Sequence, residues 1–170
     1  TLTIGYENVN RASNGFVMGQ ANTLKNMYAN SSTGAGTGTF IGGYNNIVEV
    51  NDSIVFGSDC DAGVTSAGGN NSKNQFLFGL GLGVPKNTQG DAAGQAQVVV
   101  GRYNESQNQV NQMFSVGTGA DAANRKTSFA VDSNGRVSVG KTAPNLLFEV
   151  NGSAGKPGGG TWSTISDERV

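Results

Sequence analysis

Short apolar runs recur along this chain, and almost all of them end on glycine. They read Leu2-Thr3-Ile4-Gly5, Phe16-Val17-Met18-Gly19, Thr39-Phe40-Ile41-Gly42 and Ile54-Val55-Phe56-Gly57. They continue as Phe76-Leu77-Phe78-Gly79, Val98-Val99-Val100-Gly101, Phe114-Ser115-Val116-Gly117 and Val137-Ser138-Val139-Gly140. The glycines are spaced by short steps of about 15 residues and long steps of about 22. Three related turns follow: Gly5-Tyr6-Glu7-Asn8, Gly43-Tyr44-Asn45-Asn46 and Gly101-Arg102-Tyr103-Asn104. Each leads into a polar stretch and then the next apolar run. Strand, glycine turn and polar return, repeated, are the signature of a winding β structure. Strands this short are unstable alone and need stacked coils or several chains wrapped together. Runs apolar at every position, such as Phe76-Leu77-Phe78, predict burial on both faces. Winding or trimerisation would also protect the strand edges.

The long steps predict exposed loops at 20–38, 58–75 and 80–97, rich in Gly, Ser, Thr and Asn, the last containing Pro85. Loops on a repetitive scaffold are where recognition is expected. The best helical stretch, Ala21 to Ala29, lacks apolar anchors, so little helix is expected. Beyond residue 126 the pattern changes. Ser128-Phe129-Ala130-Val131 and Arg136-Val137-Ser138-Val139 flank Asp132-Ser133-Asn134-Gly135, a strong hairpin signal. Leu146 to Val150 reads as one more strand, and Gly152 to Gly160, with Pro157, as a linker. The expected organisation is a repeat region over 1–125, a hairpin plus strand over 126–152 and a linker over 153–170. The expected fold is all-β: an elongated, intertwined or winding homotrimer, a triple β-helix or β-roll-like shaft with protruding loops and a C-terminal hairpin.

Composition sharpens this picture. Of 170 residues, 27 are Gly and 20 are Asn, both poor in helix interiors and good in tight turns. Apolar residues make up 36%, low for one chain to offset its own entropy, and association of copies is the natural remedy. A net charge of −1 with scattered Lys and Arg gives no basic stripe for nucleic acid. No run of 18 apolar residues predicts membrane insertion. The start at Thr1 without Met reads as a fragment or processed product, with no signal peptide visible. Cys60 is the sole cysteine, expected as a free thiol in a protein assembled in a reducing cytoplasm.

Candidate chemistry is sparse. There is no His, which excludes a Ser/His/Asp set and the commonest metal ligand. Residues 135–142, Gly-Arg-Val-Ser-Val-Gly-Lys-Thr, fit a phosphate-loop pattern in letters, but the stretch alternates like a strand and Pro144 follows instead of a helix. Gly79 to Gly83 lacks the βαβ context of a dinucleotide loop. Asp59-Cys60-Asp61 reads as a solvated turn, because calcium needs six or more oxygens. No metal and no cofactor are called for. Asn30, Asn51, Asn104 and Asn151 head sequons that an Asn-rich chain produces by accident. Tyr6, Tyr44 and Tyr103 recur after the glycines and read as packing residues with solvated hydroxyls rather than sugar platforms. No carboxylate pair stands out as a glycosidase couple, so the chain is read as non-enzymatic.

The C-terminal stretch carries a resemblance. Phe148-Glu149-Val150-Asn151-Gly152-Ser153-Ala154-Gly155-Lys156-Pro157-Gly158, then Trp162 and Ser166-Asp167-Glu168-Arg169-Val170, resemble the junction before the intramolecular chaperone of phage tail fibres and tailspikes, the endosialidase-type autoprotease family. That family's chaperone opens with Ser-Asp-x-Arg-x-Lys, and the match runs from Ser166 through Val170, over about the last 45 residues with their hairpin. The resemblance implies a homotrimeric shaft in a virion tail, recognition of a bacterial surface polysaccharide or lipopolysaccharide, and a C-terminal chaperone released by self-cleavage. It implies Ser166 as nucleophile and Asp167 as part of the cleavage junction in a longer parent. A serine needs an adjacent base, and the motif's Lys is not in this sequence, so Ser166 is expected to be inert here. The first 120 residues are similar in style to heads of trimeric autotransporter adhesins, whose glycine-punctuated coil is near 14 residues. The long steps run against a regular roll of that kind. A polysaccharide depolymerase tailspike is the remaining alternative, and would need acidic residues clustered between subunits.

Overall fold

The computed structural model describes residues 1–11, 14–24, 38–49, 52–62, 75–83, 97–105 and 112–153. These residues form strands and turns only, with no helix among them. The strands are β1 (Leu2–Tyr6), β2 (Val9–Asn10), β3 (Phe16–Gln20), β4 (Thr23–Leu24), β5 (Phe40–Tyr44), β6 (Ile47–Val48) and β7 (Ile54–Ser58). They continue with β8 (Asp61–Ala62), β9 (Phe76–Leu80), β10 (Val98–Arg102), β11 (Gln112–Thr118), β12 (Thr127–Asp132), β13 (Val137–Val139) and β14 (Phe148–Val150). Ten of them make one sheet in the order β1-β3-β5-β7-β9-β10-β11-β12-β13-β14. The two-residue strands make a second, parallel sheet, β2-β4-β6-β8.

Each coil is a long strand, a tight turn, a short strand and a return to the next long strand. From β1 to β11 every neighbouring pair in the large sheet is parallel. This is a β-roll: a solenoid whose coils stack one strand spacing apart. The register places Gly5, Gly19, Gly43, Gly57, Gly79, Gly101 and Gly117 in one column. The repeat glycine of the third coil is therefore Gly43, not Gly42. With that correction the first and third coils both step by 14 residues. The second steps by 24 and the fourth by 22. The long steps do not disturb the roll, because their extra residues leave it at a single corner.

Alternation decides what each strand buries. The second residue of each long strand points inward: Val17, Ile41, Val55, Leu77 and Val99. Leu24, Val48 and Ala62 face them from the small sheet, with Cys60 and Leu82 from the turns, and all ten are at most 1% exposed. Burying a Val or Leu side chain contributes about 1.5–3 kcal/mol, so this thin column is the main stabilising element of one chain. At the first coil the same columns hold Thr3 and Asn10, so the core ends there on polar residues. Phe78, expected to be buried on both faces, is 42% exposed, because its neighbour Leu77 takes the inward position.

The pairing changes to antiparallel between β11 and β12 and between β12 and β13. The Asn134-Gly135 hairpin forms as its turn chemistry predicts, with Gly135 at φ 74°. Asp132 organises it: its carboxylate accepts from Asn134 N at 2.9 Å, Arg136 N at 2.9 Å and Arg136 Nε at 2.7 Å. Burial pushes the Asp132 pKa up, but these hydrogen bonds and the Arg136 charge outweigh it and hold it below the usual value. Residues 137–139 are strand β13, and Lys141 pairs with Glu149 on β14, so the phosphate-loop letters sit on a strand with its lysine already engaged.

Candidate functional site

Two corners and one open face organise everything that this roll can present. The first corner is the glycine–asparagine turn. At Gly19, φ is 114° and a Cβ would lie 2.0 Å from Gly43 O, so only glycine permits the coils to stack there. The residue two positions after each glycine is left-handed: Glu7, Ala21, Asn45, Asp59, Gly81 and Tyr103. The next position points inward and carries Asn8, Asn22, Asn46, Cys60, Leu82 and Asn104.

The asparagines bond from coil to coil. Asn22 Nδ2 donates to Gly43 O at 2.8 Å and to Asn8 Oδ1 at 3.1 Å, and Asn22 N donates to Asn8 Oδ1 at 3.0 Å. Asn46 repeats this on the next coil, with Nδ2 on Gly57 O at 2.9 Å and on Asn22 Oδ1 at 2.9 Å. Cys60 stands where the next asparagine would. Its N–H donates to Asn46 Oδ1 at 3.0 Å and its thiol reaches Gly79 O at 3.4 Å. Burial pushes the Cys60 thiol pKa up, with the Asp59 carboxylate adding to the effect against hydrogen bonds and Arg125. Leu82 interrupts the ladder. Asn104 bonds to the coil before it in a different way, donating Nδ2 to Gly83 O at 2.8 Å and accepting from Gly83 N at 2.9 Å. Arg125 closes the corner, donating Nη1 to Gly81 O at 2.8 Å and to Asn104 O at 3.2 Å while lying 5.9 Å from the Tyr103 ring centre. Asn104 is thus buried and engaged, which removes it as a glycosylation acceptor.

The opposite corner is where length varies. After the short strands, the chain returns to the next long strand through residues 11–15 or 49–53 in the short coils. In the second coil the return is 25–39, in the fourth 63–75, and in the fifth it starts after Gly83, which bridges Asp61. The segments 20–38, 58–75 and 80–97, expected as exposed loops, begin within the roll: their first residues, 20–24, 58–62 and 80–83, supply the glycine–asparagine turn and the next short stretch, with Leu24, Ala62 and Leu82 buried. Of these, residues 20–24, 38, 58–62, 75, 80–83 and 97 are described, and the rest lie outside the described residues. Ser166, Asp167, Trp162, Asn30 and Asn51 also lie outside them.

The open face is the outer side of the large sheet. Its first column is Leu2, Phe16, Phe40, Ile54, Phe76, Val98 and Phe114. The third-position column beside it is Ile4, Met18, Gly42, Phe56, Phe78, Val100 and Val116. Neither column holds a charge or a polar side chain. Leu2 and Ile4 are each 50% exposed. Four rings stack along this face: Phe16–Phe40 at 4.5 Å between centres, Phe40–Phe56 at 4.8 Å and Phe56–Phe78 at 5.8 Å. The stack crosses from one column to the other because Gly42 leaves room for Phe56, whose ring would lie 2.5 Å from a Cβ at 42. Beside this crossing lies a shallow groove of about 280 Å³ lined by Met18, Gly42, Phe56 and the backbone of Gly19, Gly43 and Gly57.

Tyr6 and Tyr44 share one column at the rim of this face, 65% and 50% exposed. Tyr103 does not share it. It sits one position later in the turn, at φ 41°, against Arg125. Asp59 lies exposed, its pKa lowered by hydrogen bonds from Asn45 and Ser58, while Cys60 beside it points inward. Among the described residues no group of three or more His, Cys, Asp or Glu side chains is placed to hold a metal ion, and no helix is long and apolar enough to cross a membrane. No family model, no curated protein and no solved structure matches this chain.

Proposed function

We propose that this chain is a structural and receptor-binding segment of a phage tail fibre or tailspike. In this reading three copies pack the outer faces of their large sheets together and display the looped corners to a bacterial surface polysaccharide or lipopolysaccharide. The observation that carries it is the two-column apolar face over seven parallel strands. Parallel sheets are normally covered on both faces, and soluble monomers rarely expose apolar strips this continuous. Seven strands at about 4.8 Å make a strip about 30 Å long, the scale of a stable interface rather than a ligand spot. The looped corner joins the long strands at their first residues, at the edge of this face rather than across it.

The number three, the virion-tail location with assembly in the host cytoplasm, and a chaperone released from a longer parent all rest on the resemblance of Ser166 to Val170 and the preceding hairpin. Ser166 and Asp167 would act only in that parent. A depolymerase would need a carboxylic acid of raised pKa beside a second carboxylate, and Asp59, Asp121, Asp132 and Glu149, each held below its usual value, do not offer that acid; such a couple would have to come from other carboxylates brought together between subunits. The 14-residue coils at Leu2 to Phe16 and Phe40 to Ile54 favour a second reading, a trimeric adhesin head. Both share the assembly and differ in what the chain is joined to.

Grafting residues 25–37, 63–74 and 84–96, the parts of the long steps that lie between the strands of the roll, onto a fibre of different host range tests the recognition reading. Adsorption to the new host's purified surface glycan is expected to follow the graft. Adsorption that stays with the recipient fibre would overturn it.

A further inference from the structure

We infer that the groove at Gly42 is a socket for a neighbouring copy of this chain and sets the register in which the copies pack. This rests on the three-copy reading above. Six of the seven strands put a side chain in the third-position column, and only the third coil puts glycine there. The missing side chain is only partly compensated within the chain, by the Phe56 ring over Gly42. Phe56 leans over the gap toward Phe40, and the opening between Met18 and Phe56 stays. Its walls are a thioether, an aromatic ring and glycine backbone, so the occupant is apolar and small enough for about 280 Å³.

A second copy is the occupant that the face itself specifies. The two columns that run through the groove carry no charge and no hydrogen-bonding side chain, and the polar groups Gln20, Tyr44 and Ser58 stand only along one rim, so the strip itself matches an apolar partner of the same length. In a cyclic assembly of parallel rolls, coils of equal number face one another, and the third-position column of one copy meets the first column of the next. At the level of Gly42 that column presents Phe40 and Ile54, which are half-buried in one chain. A side chain entering the groove can do so at only one height along the strip. The rest of the strip is a uniform ladder that would tolerate sliding by one strand spacing. The groove therefore supplies the positional information that the ladder lacks.

The test fills the socket from within. Met18→Trp places an indole into the groove, and Gln20→Trp on the same strand places one outside it. Light scattering on wild type, Met18→Trp and Gln20→Trp is expected to give three chains, fewer than three, and three. A three-chain Met18→Trp that melts like wild type would overturn the socket and leave the three-copy reading standing. A single-chain wild type would overturn that reading and the socket with it. Should Met18→Trp prove insoluble, a benzophenone photo-cross-linker at position 18 decides. Links to segment 38–58 of another copy support the inference, and links elsewhere or within one chain alone overturn it.

Discussion

The two corners of the roll obey different rules. At the glycine–asparagine corner every coil from the first to the sixth places its inward residue three positions after the glycine, with two residues between them. At the opposite corner the return runs from five residues, 11–15, to fifteen, 25–39. The first corner is closed by bonds between coils: a glycine carbonyl accepts from the asparagine below, and the asparagine oxygen accepts from the coil above. An added residue would remove the side chain from that ladder and break both neighbours. The second corner has no such requirement, because a longer loop costs only about 0.6 kcal/mol per doubling of its length. Scaffold and variation are thus separated by hydrogen bonding, not by distance.

The sharpest way to break the first corner is Gly43→Val. Its φ is 120° and a Cβ would lie 1.9 Å from Gly57 O, a contact with backbone that cannot move without parting two coils. A loss of more than about 3 kcal/mol is expected, seen as insoluble or unfolded protein. A soluble variant with wild-type urea midpoint would contradict the column. Asn46→Ala comes next. It leaves Gly57 O and Cys60 N without the side chain they share and takes one of two donors from Asn22 Oδ1, which keeps the Asn46 N–H, and about 2–3 kcal/mol should be lost in urea unfolding. Asn45→Ala, one position earlier and exposed, is expected to cost under about 0.5 kcal/mol. Equal losses would mean that the ladder does not matter.

Cys60 sharpens the comparison through pH. Its folded pKa is raised, so the buried neutral thiol stabilises the fold fully below the unfolded thiol's pKa of about 8.5. That contribution is lost as pH rises through the folded value, at up to 1.36 kcal/mol per unit. Stability should fall above about pH 8.5, and Cys60→Ala should flatten part of that slope. Parallel slopes would place the thiol in solvent. Smallest of all, three Gly/Ser residues inserted between Val50 and Asn51 should change stability by under about 1 kcal/mol, while the same insertion between Gly43 and Asn46 should prevent folding.

How much of this was readable in the sequence follows from which signals repeat. Glycine after a short apolar run is rare enough to mark coils, so the winding all-β fold and the Asn134-Gly135 hairpin were legible. Gly42-Gly43 offered two candidates, and only the register of β5 with β3 and β7 chooses between them. Leu77 and Phe78 could not be told apart by side, because alternation is invisible where both neighbours are apolar. The asparagine ladder was hidden by abundance: among 20 asparagines, those three residues after the column glycine do not stand out until the coils are stacked. The same offset would have found Cys60, Leu82 and Asn104. Tyr103 misled because Arg102 shifts it by one position, from the sheet rim into the turn. The common exit corner of the three loops was missed because loop ends carry no side-chain signature.

The central claim is that the outer face of the large sheet is covered by further copies of this chain. Light scattering on the wild type and on Phe78→Asp tests it most directly, since Phe78 lies mid-strip with no role in the chain's own core. The wild type should give a mass of about three times 17.4 kDa, and the variant should fall toward one chain or fail to stay soluble. A wild type of single-chain mass with an intact β circular dichroism spectrum would contradict the account.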